Sequence, residues 1–420
     1  MSEPAASRIP RRDFVLLMLA TVTALCNFAP LMSVVPLWAA AGGGSGAGVG
    51  ATTGAMMAAT TATQLSMGPV LKRYTLRQIF AAGALIMAVP TPFYLLSDQL
   101  GPVLVISAAR GIGFGLLVVA ASALVAEIVP AHLLARALGI HGLGTGIPMV
   151  AALPASVWLV QQWSFTPVFI AATVFALVGM VLASMLSAGG RSADERPGPA
   201  AGSELLDPES EGDHTAAGAT DLLDDEPRAE PAAERSGVLG VLGPLIRPAL
   251  AFFTLTMALG AVNTFLPLAI PDAAMVSLAL FAAPAAMIAG RFGAGVVGSY
   301  MQPGRLVLPG TLLGGLGMAG VALGTAGGFS TWWVVVGAAV FGFGLGAAQN
   351  DSLVAIMNRA GPGRHGLAST VWNFAYDAGM GTGAVLFGAV VGGVGYAWAF
   401  GIAVVVIVLV APTARRSALT

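Results

Sequence analysis

Residues 110–115 read Arg110-Gly111-Ile112-Gly113-Phe114-Gly115, and residues 341–346 read Phe341-Gly342-Phe343-Gly344-Leu345-Gly346, 231 positions later. Each stretch lies inside an apolar run of about 25 residues, long enough to cross hydrocarbon as a helix. The three glycines are in register, so the chain reads as two related membrane halves. They differ at one position, where an arginine in the first half stands opposite a phenylalanine in the second. Repeated membrane halves are the mark of secondary transporters, whose binding site lies between the repeats near the bilayer midplane. Solute transport is therefore the leading reading, and catalysis is not expected.

Composition supports a polytopic membrane protein. Of 420 residues, 56% are apolar and 9% charged, and the mean hydropathy is +0.84, whereas soluble domains carry about 25% charged residues. The net charge of −1 hides a segregation, because 13 of the 20 acidic residues fall between Ser187 and Gly240. Cys26 is the only cysteine, which excludes an intrachain disulfide and a thiolate metal cluster. No zinc spacing, nucleophile elbow or nucleotide-binding fingerprint occurs, so no metal and no cofactor is expected, and no nucleic acid partner. Arg8, Arg11 and Arg12 precede the first apolar run, but no small-residue cleavage site follows it, which points to a retained first helix. Eighteen arginines against one lysine, with heavy Ala and Gly use, suggest the coding bias of a GC-rich bacterial genome.

Twelve windows qualify as spans, the first at 14–39 and the last at 395–412; the second, 49–71, is rich in Gly, Ala and Thr, and the third covers 78–97. The basic residues settle an orientation. Lys72, Arg73, Arg77, Arg136, Arg305, Arg359 and Arg364 share one side with the N-terminal arginines and with Arg415 and Arg416, while the opposite connections contain no Lys or Arg. The positive-inside rule then predicts that both termini lie in the cytoplasm. The expected organisation is a cytoplasmic tail (1–12), a six-helix bundle (13–186), an acidic cytoplasmic linker (187–240), a second six-helix bundle (241–412) and a tail (413–420). The linker is Pro-, Gly- and acid-rich with few aromatic or β-branched residues, a composition expected to stay disordered and act as a tether. The fold class is an all-α membrane protein of 12 helices in two pseudo-repeated bundles.

Short motifs agree with that layout. Gly68 to Arg77 lies between the second and third spans, a second copy runs from Gly295 to Arg305, 227 residues on, and Arg136 recurs as Arg364, offset 228. This pattern resembles the major facilitator superfamily, whose signature loop runs glycine, small apolar residues, Asp-Arg, glycine and basic residues. The stretches Arg110 to Pro130 and Asn350 to Gly383 resemble bacterial drug and metabolite exporters of the arabinose-efflux type. Two departures stand out. Lys72 occupies the place of the family's aspartate, and Ser299 the equivalent place in the second copy. The glycines and prolines Gly142, Gly144, Gly146, Pro148 and Pro154 do not have the spacing of the antiporter pattern.

A charged side chain at a helix centre costs about 2.5–3.5 kcal/mol on insertion scales, so each needs a partner, a wet cavity or a task. Asp377, near mid-membrane, is the proton-carrier candidate, since burial disfavours a carboxylate's ionised form and lets it exchange protons near neutral pH. The resemblance implies a proton-coupling role for Arg110; the alternative is an arginine that bonds carbonyls of the first helix and holds that half together. Asn27, Asn263, Trp372, Asn373 and Tyr376 are cavity or substrate candidates, with interhelical bonding the alternative for the asparagines and lipid contact for Trp372. Glu127, opposite Arg73 and Arg77 of the signature loop that starts at Gly68, is a gate candidate. Arg291, four residues before Gly295, is expected to fix the end of the eighth helix. Asp351 is expected to face the cavity or reach for water, and His141 to act as a packing donor.

These readings converge on proton-coupled export of a small apolar or amphipathic solute by a monomer in the cytoplasmic membrane, with the proton gradient as energy source. An uptake permease for a small organic anion, with Arg110 and Arg291 as hooks, is the alternative. A non-transporting receptor or lipid-handling protein on the same fold is a third.

Overall fold

The computed structural model describes residues 11–130, 133–187, 238–360 and 365–416. Most of the linker expected at 187–240, with all of its acidic residues, lies outside these residues. The helices are α1 (Arg11–Ala41), α2 (Gly46–Leu65), α3 (Met67–Arg73), α4 (Leu76–Ala88), α5 (Leu100–Ile128), α6 (Leu134–Gln162), α7 (Phe165–Ser184), α8 (Val238–Ala269), α9 (Ala273–Gly298), α10 (Val307–Thr325), α11 (Trp332–Ala360), α12 (His365–Val394) and α13 (Tyr396–Arg416). Among the described residues, eleven spans are long and apolar enough to cross a membrane, α4 counting together with the 3-10 turn Thr91–Leu96 that follows it. The twelfth crossing is α2, whose 20 residues rise about 30 Å at helical pitch. Its Gly, Ala and Thr residues lower its hydropathy, and it is sheltered against α5 and α12.

Three boundaries differ from the hydropathy reading. The second span ends at Leu65 and restarts as α3 after Ser66, so the signature loop begins as a short helix. The third breaks after Ala88 because Pro90 and Pro92 cannot donate main-chain hydrogen bonds. Helix α8 begins at Val238, three residues inside the stretch read as linker.

The glycine repeat has a matching structural role in each half. A Cβ on Gly111 would strike the Met56 carbonyl of α2, and one on Gly113 would lie 2.6 Å from the Gly83 carbonyl of α4. In the second half a Cβ on Gly342 or Gly346 would strike the Ala283 or Met287 carbonyl of α9, and one on Gly344 would strike Gly314 of α10. Helices α5 and α11 are thus the centres of their bundles, pressed backbone to backbone against equivalent neighbours, as small residues permit in membranes.

The two halves differ in how the equivalent helices α4 and α10 begin. Thr75 and Gln78 form a local capping box on α4. The start of α10 is instead held from α11: Asp351 accepts bonds from the main-chain N–H of Gly304 (3.0 Å), Leu306 (2.6 Å) and Val307 (3.0 Å). Asp351 therefore neither faces the cavity nor reaches for water. Its carboxylate satisfies orphan N–H groups at a helix N-terminus, where the macrodipole favours negative charge.

The bundles meet along α2 with α12, α6 with α9 and α1 with α8. Here the terminal face denotes the side where α1 begins and α13 ends. Toward the opposite face the seam is tight: Gly46 abuts Gly388, Gly50 abuts Ala384 and Gly54 abuts Val385. Ser33 Oγ donates to the Asn263 carbonyl at 2.5 Å, and the hydroxyls of Thr53 and Thr264 are 2.9 Å apart. The halves are fastened on that side.

Candidate substrate cavity

Between the halves, in the part of each helix nearer the terminal face, lies a cavity of about 290 Å³ walled by α1, α5 and α6 on one side and α9, α11 and α12 on the other. A smaller void of about 30 Å³ adjoins it toward the opposite face, sharing Met149, Met287 and Tyr376 and bordered by Asn263. One end of the cavity is aromatic and aliphatic. Phe28 and Phe114 stack there at 3.9 Å with 2° between their planes.

The other end is polar and comes mostly from α12 and its neighbours. Asp377 is buried, and its Oδ2 accepts a 2.8 Å bond from Gln64 Nε2 of α2, so this bond crosses between the bundles. Trp372 stacks on Phe252 at 5.1 Å and lies beside Tyr376 at 6.3 Å. It is a cavity wall and not a lipid contact. Asn373 Nδ2 turns back to the Ser369 carbonyl at 2.9 Å. The i, i+3 and i+4 spacing of these residues puts them on one face, as the sequence implies.

Arg291 is in the same wall and does not fix the end of its helix. Its position follows from the glycine packing: Gly290 and Gly346 press α9 onto α11, with Gly346 against the main chain of Met287 and Arg291. The guanidinium is thereby directed toward α6, where a Cβ on Gly142 would stand 3.8 Å from Nη2.

Arg110 and Asn27 are not in the cavity. Arg110 is fully buried inside the first bundle, where Nη2 donates to the Asn27 carbonyl (3.2 Å) and to Asn27 Oδ1 (3.0 Å), and its guanidinium lies 5.9 Å from the Tyr94 ring centre. Asn27 Nδ2 in turn donates to Thr91 Oγ1 (3.1 Å) and the Ala172 carbonyl (3.0 Å). This network ties α1 to α5, α7 and the 3-10 turn. The carbonyl-bonding alternative for Arg110 matches its geometry, and the arginine is enclosed away from the cavity that Asp377 lines.

At the terminal face, Arg77 Nη1 donates to the Leu186 carbonyl at 2.9 Å, and exposed Arg73 lies 5.8 Å over the Tyr74 ring. The bonds described for both arginines thus go elsewhere than Glu127, which is half-buried near the end of α5. Gly68 is exposed within α3, and a Cβ on Gly295 would stand 3.9 Å from Asn350 Nδ2, so neither is a tight contact. His141, expected as a packing donor, lines the cavity, as does Gln349, which went unassigned in the sequence; Gln64, also unassigned, reaches its wall through Asp377. His141 Nε2, Gln349 Oε1 and Trp372 Nε1 are buried without a hydrogen-bond partner among the described residues. The cost of a lone polar group in an apolar helix was the signal available for Gln64 and Gln349.

Two six-helix bundles fastened at one face around a central cavity are the architecture of a secondary transporter. The Major Facilitator Superfamily pattern matches residues 17–384, and the chain belongs to that superfamily. Similar solved structures include a bacterial homologue of the human lysosomal transporter Spinster in an inward-facing, unoccupied conformation (TM-score 0.70, 16% identity, 98% of each chain covered). A peptide transporter, POT, gives a TM-score of 0.67 at 14% identity, covering 96% of this chain and 94% of that one. The nucleoside transporter NupG gives 0.66 at 12% identity, covering 96% and 99%. No curated protein matches the sequence.

Proposed function

We propose that the protein is a proton-coupled exporter that carries a small amphipathic solute across the cytoplasmic membrane by alternating access. The observation that carries this reading is the inter-bundle cavity with Asp377 in its wall, bonded to the opposite bundle through Gln64. The distribution of Lys and Arg supports a cytoplasmic terminal face, and the seam fastened on the other side then corresponds to an inward-facing state. Export is supported by the resemblance to arabinose-efflux exporters.

In this reading Asp377 couples proton movement to the rocking of the bundles. Its carboxylate accepts the Gln64 bond most strongly when ionised, since charge-assisted hydrogen bonds are roughly twice as strong as neutral ones. Protonation weakens this link between α2 and α12 and favours their separation. Asp377→Asn removes the titration, so flux driven by a pH gradient in proteoliposomes should be abolished while solute binding persists. Full gradient-driven flux by the variant would refute the coupling role.

A further inference from the structure

We infer that the solute is an amphipathic organic anion whose acidic head seats on Arg291 beside His141, with a flat apolar body lying toward the Phe28/Phe114 stack. The inference rests on the proposal that this cavity is the transport site. A guanidinium walled into a membrane protein needs a counter-charge or water, and Arg291 has no hydrogen bond or carboxylate contact among the described residues. The carboxylate sharing its cavity, Asp377, is engaged by Gln64.

A further group points to a missing ligand at the same end. His141 is 7% exposed and its Nε2 has no partner among the described residues. Buried polar atoms are normally satisfied, so an unsatisfied one in the wall that holds a cation marks a place for an external partner. Gln349, 4% exposed, also has a partnerless atom, but it is the amide oxygen Oε1, which only accepts and so suits a donor of the solute and not its carboxylate. Gly346 lies one turn from Gln349 on α11 and packs on the Arg291 main chain, while Gly142 beside His141 borders the guanidinium. The three groups therefore come from helices that converge on Arg291. A carboxylate offers two oxygens to the fork of an arginine and can accept from an imidazole N–H at the same time. The parallel, stacked Phe28/Phe114 pair suits an unsaturated or aromatic body. Arg110, enclosed by Asn27, takes no part.

The test uses purified full-length protein and three probes of one shape and different charge: cinnamate, its neutral amide cinnamamide, and the cation cinnamylamine, with binding followed by calorimetry. Cinnamate should bind saturably and at least about tenfold more tightly than the other two. Arg291→Gln should erase this preference, and Arg291→Lys, which keeps the charge, should retain it at lower affinity. His141→Ala should weaken cinnamate more than cinnamamide. Equal binding of amide or amine, absence of saturable cinnamate binding, or an unchanged preference in folded Arg291→Gln protein would overturn the inference. Failure of the underlying reading looks different: Arg291-dependent anion binding with no solute movement in proteoliposomes would remove transport and leave the anion site, whereas transport without anion preference would do the reverse.

Discussion

The guanidinium of Arg110 is held by two oxygens of a single residue, the main-chain and side-chain oxygens of Asn27. Hydrogen bonds to charged groups contribute about 1.5–3 kcal/mol, and a stranded buried charge costs more. Asn27→Ala removes one of the two oxygens and also the bonds to Thr91 and Ala172. It should destabilise the protein by about 2 kcal/mol or more, read as a lowered thermal unfolding midpoint in detergent. Asn263→Ala is the comparison, because that side chain borders the small void and has no described bond; its effect should stay near about 0.5 kcal/mol. Equal losses in the two variants would mean that Asn27 is not the residue securing Arg110. The pair also shows where sequence reading stops at this scale. Both asparagines lie in first helices of their halves, and nothing in their local sequence distinguishes one that faces inward to its own bundle from one that faces the partner bundle.

Helices α5 and α11 sit at the centres of their bundles because glycine repeats let neighbouring backbones touch. Gly342→Val would drive a branched side chain into the Ala283 main chain, and overpacking of this kind costs typically about 1–3 kcal/mol, more where backbone must move. The variant should lose folded yield in fluorescence-detected size-exclusion chromatography. Gly293→Ala, on α9 where a Cβ meets nothing within 4 Å, should match or exceed the parent by about 0.5–1 kcal/mol, as a relieved helical glycine. Impaired folding of the Gly293 variant, or tolerance of the Gly342 one, would contradict the packing. At this scale the sequence was most legible: hydropathy located the spans, and the glycine register located both central helices. The breaks at Ser66 and Pro90 were less so, since hydropathy averages over them. Asp377 stood out as an acid in an apolar helix. Arg291 was visible but misplaced, because the direction it points depends on how closely α9 approaches α11 and α6, a property of three helices together. His141 and Gln349 depend on the same convergence.

The whole molecule is two bundles joined at one face and separated by a cavity nearer the other. Thr53 and Thr264 mark the junction with hydroxyls 2.9 Å apart, so cysteines at both positions, in a Cys26→Ser background, place two sulfurs within reach of a bond. Oxidation should cross-link α2 to α8 and stop transport, with Arg291→Cys, introduced separately as an accessibility reporter, remaining labelled only from the terminal face. Transport that survives a complete cross-link would exclude rocking about this junction. The capping of α4 and α10 carries a consequence for biosynthesis. The start of α4 is completed by Thr75 and Gln78, neighbours that leave the ribosome with it, but α10 depends on Asp351, 44 positions beyond Val307. At about 5–20 residues per second the nascent chain waits several seconds before that carboxylate exists. During this interval the first turn of α10 has its N–H groups uncapped, and the second bundle can finish its assembly only after α11 has been made and inserted.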